Sequence, residues 1–236
     1  MGNAKAAVHS ECLASFDHSD EGPNSGNLSK RRPIGGVAKR AVDLLCALSL
    51  FILLFPLWLM VAVAVRASSP GPVFFGHERV GFGGMTFRCW KFRTMVTNGD
   101  AVLEASFARN PAARAEWDRD RKLKSDPRVT RIGHVLRKTS VDELPQLLNV
   151  ILGEMSLVGP RPVVTDELER YGPDITAYLA ARPGITGLWQ TSGRSDTTYG
   201  ERVTLDRRYA AEWSFAMDLW ILLKTVPAVL AARGSC

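Results

Sequence analysis

The chain has 236 residues, four cysteines and a formal net charge of +6, so it is long enough for one domain with appendages. The cysteines form no C-x-x-C pair and the histidines show no metal-ligand spacing, which argues against a zinc site and favours a reduced setting. A basic surface attracts nucleic acid, anionic lipid or phosphorylated substrates equally well, so the charge alone selects no partner.

The first segment, residues 1–33, is rich in Ser, Asn, Gly, Asp and His and has no apolar period. This composition predicts a disordered tail, which ends in the basic cluster Lys30-Arg31-Arg32. The tail is not expected to be a signal peptide, because the apolar run that follows begins too late and is too long.

The most apolar stretch, residues 44–65, carries no charged side chain. As a helix it would be roughly 33 Å long, which is enough to enter a bilayer. Pro56 lies in its middle and removes a backbone donor, and basic residues lie on both flanks, the mark of the cytoplasmic side. We therefore predict a re-entrant membrane helix over 34–68, broken at Pro56, and a cytoplasmic domain over 69–236. A straight single span with a proline kink is the alternative.

Two extended runs follow, over 73–80 and 85–92, on either side of the glycine-rich segment 81–84. This pattern predicts a β-hairpin. A phosphate cradle is the less favoured reading of the glycines, because no helix start follows them. No G-x-x-x-x-G-K-[ST] motif occurs, so a P-loop is excluded.

The remaining patterns predict helices. Residues 100–122 are typical of a charged surface helix, 134–153 have a helical apolar period that stops at Gly153, and 200–231 have a second such period. The Trp and Phe residues of the last segment suit a membrane interface, although a core-packing helix fits equally well. The fold class is therefore α+β, mostly helical.

An adjacent acidic pair, Asp142 and Glu143, follows Arg137 and Lys138 at the predicted start of helical residues. Ser140 and Glu143 have the S-x-x-E spacing of a capping box, so a purely structural role remains open from this segment alone. Isolated arginines on Pro- and Gly-rich loops, such as Arg161 between two prolines, instead indicate a phosphate receptor.

Several motifs follow one another in a distinctive order and spacing between residue 33 and about residue 230. They are Lys39-Arg40-x-x-Asp43, Lys91-Phe92-Arg93-Thr94-Met95, Asp126-Pro127-Arg128-Val129-Thr130, Asp142-Glu143-Leu144-Pro145-Gln146, Gly159-Pro160-Arg161-Pro162 and Arg182-Pro183-Gly184-Ile185-Thr186-Gly187. In this the chain resembles the bacterial sugar transferases, the monotopic polyprenyl-phosphate phosphoglycosyl transferases. Its length and its Ser192-Gly193-Arg194 stretch most resemble the short members that start exopolysaccharide synthesis with galactose-1-phosphate.

The resemblance implies a mechanism in which Asp142 attacks the sugar-linked phosphorus of a UDP-sugar, releases UMP and holds a covalent phospho-sugar. The lipid phosphate, undecaprenyl phosphate, then takes the sugar phosphate. Glu143 would ligate Mg²⁺, the implied cofactor. The residues expected to bind substrate phosphate are Lys91, Arg93, Arg137, Arg161 and Arg194. Because Asp142 lies at a helix start near arginines, we expect its carboxylate to stay ionised.

The resemblance also implies a monotopic protein with amphipathic interfacial helices at the cytoplasmic face of the bacterial inner membrane. Its expected partners are the UDP-sugar, undecaprenyl phosphate and membrane lipid, with a homodimer and downstream glycosyltransferases left open. No residue distinguishes galactose from glucose. The alternative function is a non-enzymatic adaptor whose basic face binds anionic lipid or a synthase. Nucleic-acid binding is not expected, because no helix-turn-helix or RNA-binding aromatic motif occurs.

Overall fold

One long apolar helix, shorter helices and two small sheets make up the structure, a computed structural model that describes residues 32–120, 123, 125–192 and 198–230. The helices are α1 Gly36–Ser68, α2 Gly99–Arg109, α3 Pro111–Asp120, α4 Arg131–Thr139, α5 Gln146–Leu152, α6 Thr165–Leu168, α7 Ile175–Leu179, α8 Leu188–Thr191, α9 Tyr199–Glu212 and α10 Phe215–Leu230. The strands are β1 Phe74–Val80, β2 Thr86–Phe92, β3 Ser156–Val158 and β4 Gly184–Thr186. The tail predicted over 1–33 falls almost wholly outside the described residues.

Helix α1 has 33 residues, which corresponds to about 50 Å of helix. Within the described part of the chain it is the one helix long and apolar enough to cross a membrane, and only 17% of its most apolar window is buried. Most of this window is thus exposed, whereas the core helix of a water-soluble domain is mostly buried. Pro56 lies inside this helix and not in a gap between two helices, so the expected break does not interrupt the helical assignment. The re-entrant path stays a prediction.

Strands β1 and β2 form the antiparallel hairpin that the sequence predicts, with Phe75 opposite Lys91 and Arg79 opposite Phe87. Side chains alternate between the two faces of a strand, so Phe75, Arg79 and Lys91 share one face. Strands β3 and β4 form a separate parallel pair.

Each of the three predicted helical segments is divided. The segment 100–122 forms α2 and α3, which are separated at Asn110, because the residue before a proline disfavours helical torsions and Pro111 can begin a new helix. Asn110 caps the second helix by accepting the backbone N–H groups of Ala112 and Ala113. Residues 121 and 122 lie outside the described part.

The segment 134–153 forms α4, a 3₁₀ turn over Val141–Glu143, and α5. The break occurs at Ser140, whose φ of 56° is left-handed. Pro145, which has no backbone N–H, precedes the first residue of α5. The predicted stop is confirmed, since Gly153 ends α5 with a φ of 91°.

The segment 200–231 forms α9 and α10, and the chain changes direction at Trp213 and Ser214. The Ser214 hydroxyl accepts the backbone N–H of Met217, so a local capping interaction begins the second helix. Phe215 and Trp220 of α10 are each 46% exposed, although Phe215 contacts the ring of Trp213 and Trp220 lies near Lys224.

A buried polar network fixes the beginning of α1 to the rest of the protein. Lys39 Nζ donates to Asp218 at 2.5 Å, and the same carboxylate accepts Tyr209 Oη at 2.8 Å and Trp213 Nε1 at 3.1 Å. All described polar atoms of this carboxylate therefore have partners, as a buried charge requires. Asp43 extends the network by accepting the hydroxyl of Ser156 and the backbone N–H of Leu157.

Removal of the central carboxylate should destabilise the fold. We expect Asp218→Ala to lower the free energy of unfolding by about 3 kcal/mol or more, because Lys39 would lose its nearest counter-ion in a buried position. The apparent melting temperature of the detergent-solubilised protein measures this loss. Glu212→Ala, which removes a half-exposed carboxylate that pairs with Arg208 on the same helix, is the control and should melt like the wild type. Equal melting of both variants would contradict the assigned role.

Candidate active site

The acidic pair lies on the 3₁₀ turn between α4 and α5. Ser140 caps no backbone N–H with its side chain, so the capping box suggested by the S-x-x-E spacing is not formed. The Glu143 carboxylate instead accepts a hydrogen bond from Lys91 Nζ at 2.5 Å. The pair thus connects the turn to strand β2, which is an arrangement that local helix capping does not require.

Asp142 is buried, with 8% of its surface exposed. Burial raises its pKa to about 6; Lys91 and Arg137 oppose that rise, and the neighbouring Glu143 adds to it. The nearby cations thus favour the ionised form, as expected, but burial outweighs them and leaves the pKa above its usual value. The carboxylate is ionised at neutral pH, but at a free-energy cost that its surroundings impose.

Lys91 has the converse balance. Burial favours its neutral form, but the carboxylates of Glu143 and Asp142 outweigh burial and raise its pKa. The ammonium group is therefore charged at any physiological pH. Two carboxylates and one ammonium group form the centre of the site, so the structure brings Lys91, Asp142 and Glu143 together.

The contacts at the beginning of α4 position Arg137 near this centre. Thr130 caps the helix by accepting the backbone N–H of Gly133 at 2.9 Å. Gly133 packs against Thr94, whose carbonyl oxygen a Cβ at position 133 would strike. One turn later, Arg137 Nε donates to the hydroxyl of Thr94 at 2.9 Å. The charge of this guanidinium acts on Asp142.

The Asp-Pro-Arg motif supports the same region. Asp126 accepts Arg128 Nη2 at 2.7 Å, and the Arg128 guanidinium lies 5.0 Å from the ring centre of Trp117. Burial opposes ionisation of Asp126, but its hydrogen bonds from Arg128 lower its pKa overall. This pair holds the loop that leads into α4, so its part in the site is indirect.

Arg93 has other partners. Its guanidinium donates to the carbonyl oxygens of Ser69, at 2.7 Å, and Pro70, and only 7% of the residue is exposed. These bonds hold the chain where it leaves α1. The structure thus gives Arg93 a place in fixing the membrane helix, and the phosphate contact predicted for it has no support from these contacts.

Arg161 lies against an aromatic ring. Its guanidinium is 5.2 Å from the ring centre of Trp189, and the guanidinium of Arg202 is 4.8 Å from the same ring. Arg194, the remaining predicted phosphate ligand, lies outside the described residues.

Two features of this region escaped the sequence reasoning. Asn149 joins α5 to β2: its side chain accepts the backbone N–H of Trp90 at 3.0 Å and donates to the carbonyl of Arg88 at 2.7 Å. Arg79 shares the Lys91 face of the hairpin. The alternation of a strand could have identified Arg79 once the hairpin register was assumed, whereas no local pattern indicates the contacts of Asn149.

The acidic pair is the candidate donor set for Mg²⁺. No group of three or more His, Cys, Asp or Glu side chains that could hold a metal ion occurs among the described residues. Mg²⁺ commonly binds through one or two carboxylates together with substrate phosphates and water. Asp142 and Glu143, the latter with 36% of its side chain exposed, fit that mode and do not fit an all-protein metal cage.

Comparison with known proteins shows similarity to sugar transferases and to a protein of exopolysaccharide production. The family described as bacterial sugar transferase matches residues 34–232. The exopolysaccharide production protein ExoY of Sinorhizobium fredii is 57% identical over 86% of this chain and 90% of its own length. The undecaprenyl-phosphate galactose phosphotransferase of Salmonella typhimurium is 49% identical over 89% of this chain and 43% of its own length. The UDP-glucose:undecaprenyl-phosphate glucose-1-phosphate transferase of Caulobacter vibrioides is 41% identical over 92% of this chain and 80% of its own length.

The strained carboxylate leads to a prediction about stability. An acid whose pKa rises from 3.8 unfolded to about 6 folded destabilises the native state once the pH exceeds both values, here by roughly 2–3 kcal/mol. Asp142→Asn removes that cost, so the variant should be more stable than the wild type at about pH 7.5 in the presence of EDTA. The difference should shrink as the pH falls from 6 towards 4.

Apparent melting temperatures over that pH range measure the effect. Asp118→Asn, which changes an exposed carboxylate on α3, is the matched control and should follow the wild type. A less stable Asp142→Asn variant at about pH 7.5 would contradict the electrostatic description of the site.

Proposed function

The chain belongs to the bacterial sugar transferase family and is a phosphoglycosyl transferase, and we propose that it transfers galactose-1-phosphate from UDP-galactose to undecaprenyl phosphate as the first step of exopolysaccharide repeat-unit synthesis. The observation that carries this proposal is the buried Asp142 beside the Lys91–Glu143 ion pair and Arg137. A non-enzymatic adaptor has no need of a carboxylate held ionised against burial. The relatives named for galactose and for glucose leave galactose a proposal.

In the first step, a carboxylate oxygen of Asp142 attacks the sugar-linked phosphorus of the donor. The bond from that phosphorus to the oxygen bridging the two phosphates breaks, and UMP leaves with the electron pair. The product is an acyl phosphate that joins Asp142 to galactose-1-phosphate. The charges of Lys91 and Arg137 stabilise the phosphate oxygens while the negative charge shifts towards UMP.

In the second step, an oxygen of undecaprenyl phosphate attacks the same phosphorus. The bond between phosphorus and the Asp142 oxygen breaks, which restores the carboxylate and yields the lipid-diphosphate sugar. Glu143 and Asp142 are the residues that would hold Mg²⁺ together with the diphosphate. When bound, that ion neutralises charge on the phosphates and on the acidic pair.

The contacts at both ends of α1 support a re-entrant path. Near its start, Arg40 Nη2 donates to the carbonyl of Ile151 at 2.9 Å. At its end, Arg93 Nη2 donates to the carbonyl of Ser69 at 2.7 Å. Helix α5 and strand β2, which supply these partners, are joined by Asn149. A helix that crossed the bilayer would separate these contacts, so we propose that α1 enters from the cytoplasmic side and returns to it.

The exposed apolar side chains of α10 support its placement on the inner leaflet beside α1. Its apolar surface includes Phe215, Leu219, Trp220, Leu223 and Val226, all at least 46% exposed. An exposed apolar face of this kind on a helix suits the boundary between headgroups and acyl chains. A monotopic protein at the cytoplasmic face of the inner membrane would receive a soluble nucleotide-sugar and a lipid phosphate in one plane.

Substitution of the nucleophile tests the chemistry. With the full chain in nanodiscs that contain undecaprenyl phosphate, we expect Asp142→Asn to reduce UMP release from UDP-galactose by about a thousandfold or more. Without the lipid phosphate, labelled UDP-galactose should leave label on the wild type and none on the variant. EDTA should stop turnover, and UDP-glucose in the same assay measures the sugar preference.

Asp118→Asn is the matched control, because it removes an exposed acid of α3 that pairs with Arg114, and it should keep the wild-type rate. Turnover by Asp142→Asn at a comparable rate would remove Asp142 from the nucleophile role.

The topology is tested by labelling. In a background without the native cysteines, Val37→Cys and Ser68→Cys place single thiols at the two ends of α1, where both residues are exposed. A re-entrant helix predicts that a membrane-impermeant maleimide labels neither in intact cells and both after permeabilisation. Labelling of either position in intact cells would establish a spanning helix.

A further inference from the structure

A groove lies on the surface where α1 ends, outside the acidic turn. It has a volume of about 420 Å³, which is within the range of ligand-binding clefts. The residues that line it are Ala62, Val63, Arg66, Ala67 and Val73. All of these side chains are apolar except the guanidinium of Arg66. The reaction proposed at the acidic turn uses none of them, so that reaction does not explain the groove.

The last turns of α1 form one wall of the groove. Residues four apart lie on one face of a helix, so Ala62 is a neighbour of Arg66 there, and Val63 is a neighbour of Ala67. Val63 is 62% exposed, and Arg66 and Ala67 are exposed as well. Because alanine has a small side chain, this face is recessed at positions that a leucine would fill. The wall is therefore an apolar surface that faces outwards from the protein core.

The segment that leaves α1 forms the other wall, and Arg93 holds it in place. The guanidinium of Arg93 donates to the carbonyls of Ser69 and Pro70, and its backbone N–H donates to the carbonyl of Val73 at 2.9 Å. Gly71 allows the turn with a φ of 121°, and a Cβ at that position would strike the Arg93 guanidinium. Val73 is thus fixed against α1, and the groove is formed before any ligand arrives.

One apolar cluster joins the groove to the acidic turn. Ala62 and Val73, which line the groove, pack against the cluster that contains Trp58 of α1. Val141 and Leu144, on either side of the acidic pair, pack against the same cluster. A hydrocarbon chain in the groove would therefore lie beside the layer of side chains that supports the acidic turn.

Arg66 gives the groove its charge. It lies in the last turn of α1, is exposed, and forms no hydrogen bond or ion pair with the described residues. No acidic residue occurs between Asp43 and Glu78, so this stretch of the chain supplies no counter-ion. The apolar stem of an arginine can lie along a membrane helix while its charge stays at the level of the headgroups. A cation beside an apolar groove is complementary to an anion that carries a hydrocarbon chain.

We propose that this groove is the entry site of the lipid acceptor, where the isoprenyl units next to the phosphate lie in the groove and Arg66 contacts the phosphate. The inference rests on the proposed function, which supplies undecaprenyl phosphate as the ligand. A phosphate monoester accepts charge-assisted hydrogen bonds from a guanidinium group. An isoprenyl chain carries methyl branches and is wider than a straight acyl chain, which suits a wall lined by alanines. From this site the phosphate moves to Asp142, while the rest of the chain stays in the bilayer.

The test measures lipid retention and does not require turnover. Native mass spectrometry of the detergent-solubilised full chain gives the fraction that retains an added lipid at each concentration. The lipids are undecaprenyl phosphate, undecaprenol, which lacks the phosphate, and a phosphatidic acid with straight acyl chains. Arg66→Gln removes the charge and is matched by Arg88→Gln, which changes an exposed arginine of the hairpin. Ala67→Phe fills the groove and is matched by Ala41→Phe, which changes an exposed alanine near the start of the same helix.

We expect Arg66→Gln to weaken retention of undecaprenyl phosphate by about tenfold and to leave that of undecaprenol unchanged, since the lost contact is to the phosphate. Ala67→Phe should weaken retention of both lipids by about tenfold, because its ring occupies the place of the chain. Both control variants should bind all three lipids like the wild type.

A misfolded protein would lose undecaprenol in both groove variants, so the two patterns separate a local loss from unfolding. Unchanged retention of undecaprenyl phosphate by both variants would overturn the entry site. Equally tight retention of the phosphatidic acid by the wild type would assign the groove to bulk membrane lipid and overturn it too. Loss of sugar transfer by the wild type in the separate assay would overturn the proposed function, whereas binding of the lipid phosphate in this groove would stand.

Discussion

The ion pair between Lys91 and Glu143 joins the two parts of the protein that meet at the candidate active site. Lys91 belongs to the hairpin, and Glu143 belongs to the turn that also carries Asp142. Two adjacent carboxylates in a half-buried turn repel each other and lose hydration, and the ammonium group is the nearest compensation for both costs. Asn149 makes the same junction with uncharged hydrogen bonds. The acidic turn therefore has its position only while the hairpin is in place.

The membrane helix is connected to this junction by hydrogen bonds to main-chain carbonyls. Arg40 of α1 donates to the last carbonyls of α5, where a cation also interacts favourably with the helix dipole. Arg182 donates to the carbonyl of Gly153, the residue just after the end of α5. Helix α5 thus begins beside the acidic turn and ends on the membrane helix. Its seven residues span about 10 Å, so the depth of Asp142 relative to the bilayer follows closely from the placement of α1.

The sequence predicts those parts of the protein that depend on local patterns. The hairpin, the apolar helix and the stop at Gly153 all follow from periodicity and turn residues. The sequence predicts only some of the breaks in the helical segments. Pro111 is a recognisable break signal, whereas Ser140 adopts a left-handed torsion that its residue type rarely takes. A hydrophobic period continues across such a break, since both sides of it face the same core.

The candidate site was predictable where a motif carries its own chemistry and not where it depends on long-range contacts. Asp142, Glu143 and Lys91 come together as the family resemblance implies. Arg93 carries the same charge in the same motif as Lys91, but it lies just after the end of β2 and donates to the carbonyl of Ser69 at the end of α1, whereas Lys91 donates to Glu143. The pKa of Asp142 could not be predicted either, since it depends on burial by residues distant in sequence.

The acidic turn has an apolar environment on one side and a charged one on the other. This difference explains how one carboxylate would react with both a water-soluble substrate and a lipid substrate. Val141 and Leu144, which flank the acidic pair, pack in one apolar cluster with Trp58 of α1 and Phe92 of β2. Lys91 provides the charged neighbourhood of the same turn. In the proposed reaction the nucleotide-sugar must reach Asp142 from water and the lipid phosphate must reach it from the bilayer. A turn whose flanking residues pack against the membrane helix, while its carboxylates meet cations, lets both approach without moving the nucleophile across the interface.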